Sequence, residues 1–232
     1  GLNRGQFFAP PGIGWTDGEI RPWLVTEFKK EKNLNEGYDI RLRHTAFNSE
    51  QHLDFLNNER IYREVSNDAT WNRDNWKGRV FYRKYSSEHF RDFDDYHNPT
   101  NVRLVRFADV LLMYAECIAQ SGGNLSDAIA HVDRVRARVE MPALAVNHPA
   151  VVSSKDAFLK RLQVERVLEL ATEGQRWADI KRWGLLDNQA GIDELKSRDP
   201  DFNNFIIGRH SCLPIPSDEV NNNPNISQNP DY

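Results

Sequence analysis

Apolar residues in the middle of the chain recur at helical spacing. Ala108, Leu111, Leu112, Ala115 and Ala119, with Val105 ahead of them, share one face of a helix that Gly122-Gly123 ends. Ser126 is the expected N-cap of a second helix, which turns Ile129, Val132, Val135 and Val139 inward. The pair spans about 35 residues with a short glycine turn, the size of a tetratricopeptide-type hairpin. Pro142 closes it. Ser154 is expected to cap a third, long helix carrying Phe158, Leu162, Leu168 and Ala171, which Gly174 interrupts. Gln175 to Trp183 resumes as a short helix, and Gly184 stops it.

Outside this stretch the periodicity fades. Residues 1–100 read as a loop-rich aromatic part, residues 101–184 as a helical core, and residues 185–232 as a C-terminal loop segment packing on that core. The first part holds 17 of the 25 aromatic residues and four of the six tryptophans, so aromatic side chains concentrate where regular structure is scarce. Glu19 to Lys30 predicts a short helix with Pro22 in its first turn and Leu24, Val25 and Phe28 on one face. Gly78 to Tyr85 is the best strand candidate. In the tail, Asn221-Asn222-Asn223-Pro224 and Gln228-Asn229-Pro230 cannot continue regular structure. The fold class is mainly α: helical hairpins beside a loop-rich aromatic subdomain.

Composition narrows the function classes. With 232 residues, 28% charged, 39% hydrophobic and a net charge of −4, the chain is an ordinary globular protein of one large or two small domains. The longest apolar run, Val110 to Ala115, is too short for a spanning helix. No charged-then-apolar leader opens the chain, so any signal peptide is expected to lie outside it. Without a basic excess, non-specific nucleic-acid binding is disfavoured. Two cysteines, Cys117 and Cys212, exclude a disulfide framework and a four-cysteine zinc site, but leave open whether they are bridged or free.

Candidate chemistry is sparse in the helices. Arg161, Glu165, Arg166, Glu169, Glu173, Arg176, Asp179 and Arg182 recur every three or four residues. Paired carboxylates can serve as acid and base, but opposite charges at this spacing more simply form ion pairs on and between helices. Trp177 and Trp183, at helical spacing, are expected in the core. Asp92, Asp94 and Asp95 with His97 hold enough oxygens to suggest Ca²⁺, although a solvated acidic loop is the simpler account. The seven histidines form no i, i+4 pair, and no Walker loop, dinucleotide fingerprint or nucleophile elbow is present. No cofactor is expected.

The loop aromatics carry the stronger signal. Trp71-Asn72-Arg73-Asp74-Asn75-Trp76 sets two indoles five residues apart among planar polar side chains. Sugar rings present C–H faces that stack on indole, and their hydroxyls need the donors and acceptors that Asn72, Arg73, Asp74 and Asn75 supply. Trp15 lies in a similar glycine-rich, polar setting. The competing account is that these tryptophans pin long loops onto the core.

Four segments together resemble the SusD/RagB family. Val105-Arg106-Phe107-Ala108-Asp109-Val110-Leu111-Leu112 through Glu116 is similar to its hallmark R-Y/F-A-D/E-V-L-L helix, and Val132 to Arg138 to its N-x-V-R-x-R-A helix. Glu165-Arg166 to Leu170, with Glu173-Gly174-Gln175-Arg176-Trp177 to Gly184, resembles its E-R-x-x-E-L-x-x-E-G-x-R-W segment. Leu213-Pro214-Ile215-Pro216, Glu219, Asn223-Pro224 and Gln228 to Tyr232 resemble its closing motif. Upstream, Pro22 to Phe28 and Gly37 to Leu42 are weaker matches to its P-T-x-x-L-V-D-x-F and D-P-R-L segments, and Asp133, Ile40 and Asp231 depart from the residues usual at their places. The resemblance covers the C-terminal half of a pattern about twice as long, so a fragment of a longer protein is expected.

The resemblance implies a SusD-like fold and a cell-surface lipoprotein of the Bacteroidetes outer membrane. Such a protein is anchored by a lipid outside this chain and is not an enzyme. It would capture an oligo- or polysaccharide, or another nutrient, for a SusC-like TonB-dependent transporter. On this view the helical charges are structural, and Trp15, Trp71 and Trp76 are stacking platforms with Asn72, Arg73, Asp74 and Asn75 as hydroxyl partners. Two other readings stay open: a helical-repeat protein–protein scaffold without glycan binding, and a glycoside hydrolase using Asp17 with Glu19 or Asp92 with Asp95.

Overall fold

The computed structural model describes residues 4–11, 14–48, 78–87 and 97–232. The chain divides into two compact units, Gly1–Glu173 and Gly174–Tyr232.

In the first unit the expected hairpin forms. Helix α4 (Phe107–Gln120) buries Leu111, Leu112, Ala115 and Ala119 along one stripe. The two alanines let α5 (Leu125–Ala137) come close, and α5 answers with Ala128, Ile129, Val132 and Val135. Gly122 takes φ +79, and Gly123 N donates to Ile118 O at 2.9 Å, which satisfies an end carbonyl of α4. The cap of α5 is Asn124, not Ser126. Asn124 keeps extended backbone angles and its side chain accepts from Ser126 N at 3.0 Å, leaving Ser126 inside the first turn. Val105 does not join the α4 face. Arg106 before the helix is extended, so Val105 lies outside the helical register and is exposed.

A short helix α6 (Leu144–Asn147) and a 3-10 turn (Pro149–Val152) lead to α7 (Lys155–Leu170). Ser154 caps α7 as expected, accepting from Ala157 N at 3.2 Å. Asp133, which departs from the family pattern, accepts from Leu144 N at 2.6 Å and ties α5 to the start of α6. Phe158 and Leu162 of α7 join the hairpin core, while Leu168 belongs to a second core with Ile20, Leu24, Phe28, Leu42, Ala46 and Val80.

That second core gathers the N-terminal elements. These are α1 (Arg4–Phe8), α2 (Trp23–Phe28), α3 (Arg41–Thr45) and the strands β1 (Ala46–Asn48) and β2 (Val80–Tyr82). The strands pair antiparallel, with Phe47 opposite Phe81. Helix α2 is shorter than the Glu19 to Lys30 expectation because it starts only after Pro22, and it buries Leu24 and Phe28.

The second unit holds α8 (Arg176–Arg182), α9 (Gln189–Arg198), a 3-10 turn (Pro200–Asn204) and α10 (Ser217–Asn222). The loop expectation for residues 185–232 therefore misses two α-helices. Asn188 caps α9 by accepting from Gly191 N at 2.9 Å, and Ile192 and Leu195 pack with Ile180 and Leu186. Gly191 sits so close to the preceding turn that a Cβ would lie 2.3 Å from Leu185 O. Trp177 is 48% exposed, against the core expectation. At about 100° per residue it falls off the face that buries Asp179 and Ile180. Trp183 is partly buried, beneath the Arg182 guanidinium at 4.8 Å. In the closing motif Gln228 bonds both backbone groups of Ile215 at 2.8 Å, and Asn229 Nδ2 donates to Leu213 O at 2.6 Å. Side-chain amides replace the ladder that Pro214, Pro216 and Pro230 deny the backbone.

Candidate functional site

The helical charges form a buried network within the first unit. Glu165 is fully buried and pairs with Arg136 at 2.9 Å, Arg41 at 2.7 Å and Arg161 at 3.4 Å. Arg136, equally buried, also reaches Glu31 at 2.7 Å and donates to Pro142 O at 2.8 Å. A second knot joins Arg106 to Glu169 at 2.9 Å and Glu173 at 2.7 Å, with Arg138 on Glu169 and Lys84 on Glu173. Arg166 holds Asp109 at 2.8 Å. Burial by itself would push the Glu165 carboxyl up, but the Arg41, Arg136 and Arg161 charges overcome it and hold it at about 2. Glu31 is likewise drawn to about 2 against its burial, by Arg161, Asn147, His148 and Arg136. Carboxylates locked in the ionised form are poor general acids at neutral pH. The network is a structural clamp, as the spacing suggested. Its reach was not legible, since Glu31 and Arg41 lie far from α7 in sequence.

Trp15 is held on a short loop folded back on α1. Its backbone N donates to Gln6 O at 2.8 Å, Asp17 N donates to Phe7 O at 2.7 Å, and the Thr16 hydroxyl donates to Ala9 O at 3.1 Å. Gly14 is required here: a Cβ would lie 2.7 Å from the carbonyl oxygens of Gly5 and Gln6. The indole stands edge-on to Phe7 at 5.3 Å and stays 52% exposed. The next residue, Phe8, stacks on Tyr82 at 4.7 Å. Phe7 and Phe8 carry no sequence signal beyond their place in an aromatic-rich opening. Trp71, Asn72, Arg73, Asp74, Asn75 and Trp76 lie outside the described residues, as do Asp92, Asp94 and Asp95. Of the hydrolase candidates, Asp17 is exposed, and Glu19 is engaged by Arg79 at 2.6 Å.

Two recesses open beside the network. One, of about 690 Å³, lies between segments 30–36 and 142–148 with Arg161 in its lining. The other, about 140 Å³, is lined by Arg41, His44, Lys84, Arg106, Arg138 and Glu169. Burial and then the charges of Arg83, Arg43 and Arg138 lower the His44 pKa. Among the described residues no cluster of His, Cys, Asp and Glu is arranged to hold a metal, and no helix is long and apolar enough to cross a membrane. Cys117 and Cys212 are exposed and free.

A stacked helical hairpin, a charge clamp along its third helix and a loop-borne aromatic face define a helical-repeat scaffold of a particular kind. The model of the SusD family matches residues 4–232, and the chain belongs to that family. It is similar to SusD-like protein P2 of Formosa agariphila, 34% identical over 137 residues, which is 57% of this chain and 26% of that protein. SusD-like protein P25 of the same organism is 35% identical over 130 residues, 55% of this chain and 23% of that one. Among solved structures, a SusD superfamily protein from Bacteroides vulgatus superimposes with a TM-score of 0.79 at 24% identity, over 99% of this chain and 48% of that one. A SusD-like protein from Bacteroides fragilis gives a TM-score of 0.60 at 17% identity, over 94% and 48%. The chain thus spans about half the length of these structures and about a quarter of these curated relatives. At these identities the solved structures speak for the fold.

Proposed function

We propose that this chain is part of a cell-surface lipoprotein of the outer membrane that binds a glycan and hands it to a SusC-like TonB-dependent transporter. The observation that carries the reading is Trp15: a half-exposed indole, braced edge-on by Phe7 on a loop hydrogen-bonded back to α1. Such bracing leaves little side-chain entropy to lose on binding. Trp71 and Trp76 are further platforms in this reading, with Asn72, Arg73, Asp74 and Asn75 serving sugar hydroxyls. The apolar area buried on stacking, about 1–1.5 kcal/mol per platform beyond that burial, and a few hydrogen bonds at about 1 kcal/mol each, offset by the cost of association, lead to an expected micromolar to millimolar affinity. That strength suits capture followed by release. No catalytic role is assigned, because Glu19 is tied to Arg79 and the buried carboxylates are clamped in the ionised form. The test is retention on polysaccharide affinity gels. Trp15→Ala should weaken retention about five- to tenfold with an unchanged melting temperature. Unchanged retention, or a large loss of stability, would return Trp15 to a packing role.

A second reading, a protein–protein scaffold without glycan binding, is favoured by one observation. Leu104, Val105, Phe107, Val110 and Tyr114 are all exposed at the start and along the outer side of α4. Absence of retention on every glycan, with the protein folded, would favour it.

A further inference from the structure

The smaller recess, of about 140 Å³, is lined by four cations, Arg41, Lys84, Arg106 and Arg138, with His44 among them. Glu169 is the carboxylate of the lining, and it is 2% exposed and heavily shared. Arg106 donates to its Oε1 at 2.9 Å, Arg138 to both oxygens at 2.9 and 2.8 Å, and Arg41 to Oε2 at 3.3 Å. Glu173 is divided between Arg106 and Lys84. Arg41 also meets Asp39 and Glu165, but Glu165 serves Arg136 and Arg161 as well, and those two share Glu31. Among the described residues, these connected ion pairs join six cations to five carboxylates. The network is short of negative charge, and this recess is where its cations meet solvent.

Access, direction and size then select the ligand. Arg138 is the accessible cation: its side chain is 56% exposed, against 6% for Arg41, and its bonds to Glu169 leave from Nη2. A guanidinium carries five donors, so Arg138 has others to offer. The cations come from separate segments: Arg41 from α3, Lys84 from just after β2, Arg106 from the residue before α4 and Arg138 from the residue after α5. Groups converging from several directions suit oxygens that point several ways, as in a tetrahedral oxyanion. The volume is that of four to five waters at about 30 Å³ each, below the usual size of an organic-ligand pocket. The two weaker bases of the lining both feel the positive surroundings. Burial and then Arg83, Arg43 and Arg138 lower the His44 pKa, and burial lowers that of Lys84, with Arg106 adding to the fall and Glu173 opposing it.

We propose that this recess is an anion site for a small tetrahedral oxyanion, inorganic phosphate or sulfate or the same group carried as a phosphomonoester. Its oxygens accept from Arg138, and Lys84, Arg106 and Arg41 supply the surrounding charge. The anion adds the negative charge that the carboxylates lack and links α3, the end of β2, α4 and α5. The site lies within the first unit and does not rest on the glycan reading.

The experiment is isothermal titration calorimetry of the 232-residue chain, in Tris chloride with about 0.1 M salt, against phosphate, sulfate, glycerol 3-phosphate and acetate. Phosphate or sulfate should bind saturably, with micromolar to millimolar affinity that weakens as salt is raised. Glycerol 3-phosphate binding tighter than phosphate would assign the site to a phosphomonoester, and weaker binding to the free ion. Arg138→Gln should weaken binding about tenfold. Ile40→Asp places a negative charge in the lining at a 38% exposed position, and should weaken binding at least tenfold with the melting temperature within about 2 °C. Followed by NMR, the His44 ring should titrate below the ordinary imidazole range without the anion and move up when phosphate saturates the site. The proposal would be overturned by no saturable binding of either oxyanion, or by acetate binding as tightly as phosphate. A His44 titration unmoved by phosphate, or undiminished affinity in a folded Ile40→Asp variant, would overturn it too.

Discussion

Replacing Glu165 with glutamine removes one charge and almost no volume from the centre of the clamp. The side chain is fully buried and faces Arg41 at 2.7 Å, Arg136 at 2.9 Å and Arg161 at 3.4 Å. In Glu165→Gln those guanidiniums keep Asp39, Glu31 and Glu169 but lose their shared anion. Two routes give the size of the loss. Breaking a buried pair by removing one partner costs about 3–5 kcal/mol. The fall of the carboxyl from 4.5 to about 2 on folding corresponds to about 3 kcal/mol. A domain of this size then melts about 6–12 °C lower at pH 7. The pH dependence is the sharper test. Because the folded pKa lies below the unfolded one, the Glu165 contribution is complete above about pH 4.5 and is lost as pH falls toward 2. Wild type and Glu165→Gln should therefore differ at pH 7 and converge near pH 2, measured by urea denaturation followed by circular dichroism. A difference at pH 7 below about 1 kcal/mol, or a gap that stays constant down to pH 2, would refute the clamp reasoning.

The remaining expectations are smaller and local. Gly191→Ala forces a Cβ to within 2.3 Å of Leu185 O and should destabilise the second unit by about 1–3 kcal/mol, read as lost hydrogen-exchange protection in α9. Asn124→Ala removes the α5 cap and should cost about 1 kcal/mol in a denaturation midpoint, whereas Ser126→Ala should cost less than about 0.5 kcal/mol. Leu104→Ser with Val105→Ser, at exposed positions, should leave the melting temperature within about 2 °C, read by circular dichroism.

How much of this could be read along the chain depends on the range of the forces involved. The Ser154 cap and the inward faces of α4 and α5 follow from contacts within a few turns, and the sequence spacing specified them. The four family motifs pointed to the family that the match over residues 4–232 shows. Helix α9 was hidden because its short apolar pattern, Ile192 and Leu195, is weak alone and its glycine reads as a breaker. Only the packed turn at Leu185 explains why glycine stands there. Of the candidate site, Trp15 was legible as an aromatic in a polar glycine loop. Its brace, Phe7, was not, because edge-on contact depends on how α1 and the loop fold together.

The sequence alone determined the helical hairpin, the concentration of aromatics in the first hundred residues and the ion-pairing sense of the α7 charges. All three rest on local periodicity and composition. The tertiary structure alone decided which charges meet. Glu31 comes to Arg136 and Arg161, and Arg41 to Glu165, across more than a hundred residues of chain. Coulomb attraction and hydrogen bonding act through space, so their partners are chosen only once the hydrophobic cores have set the distances.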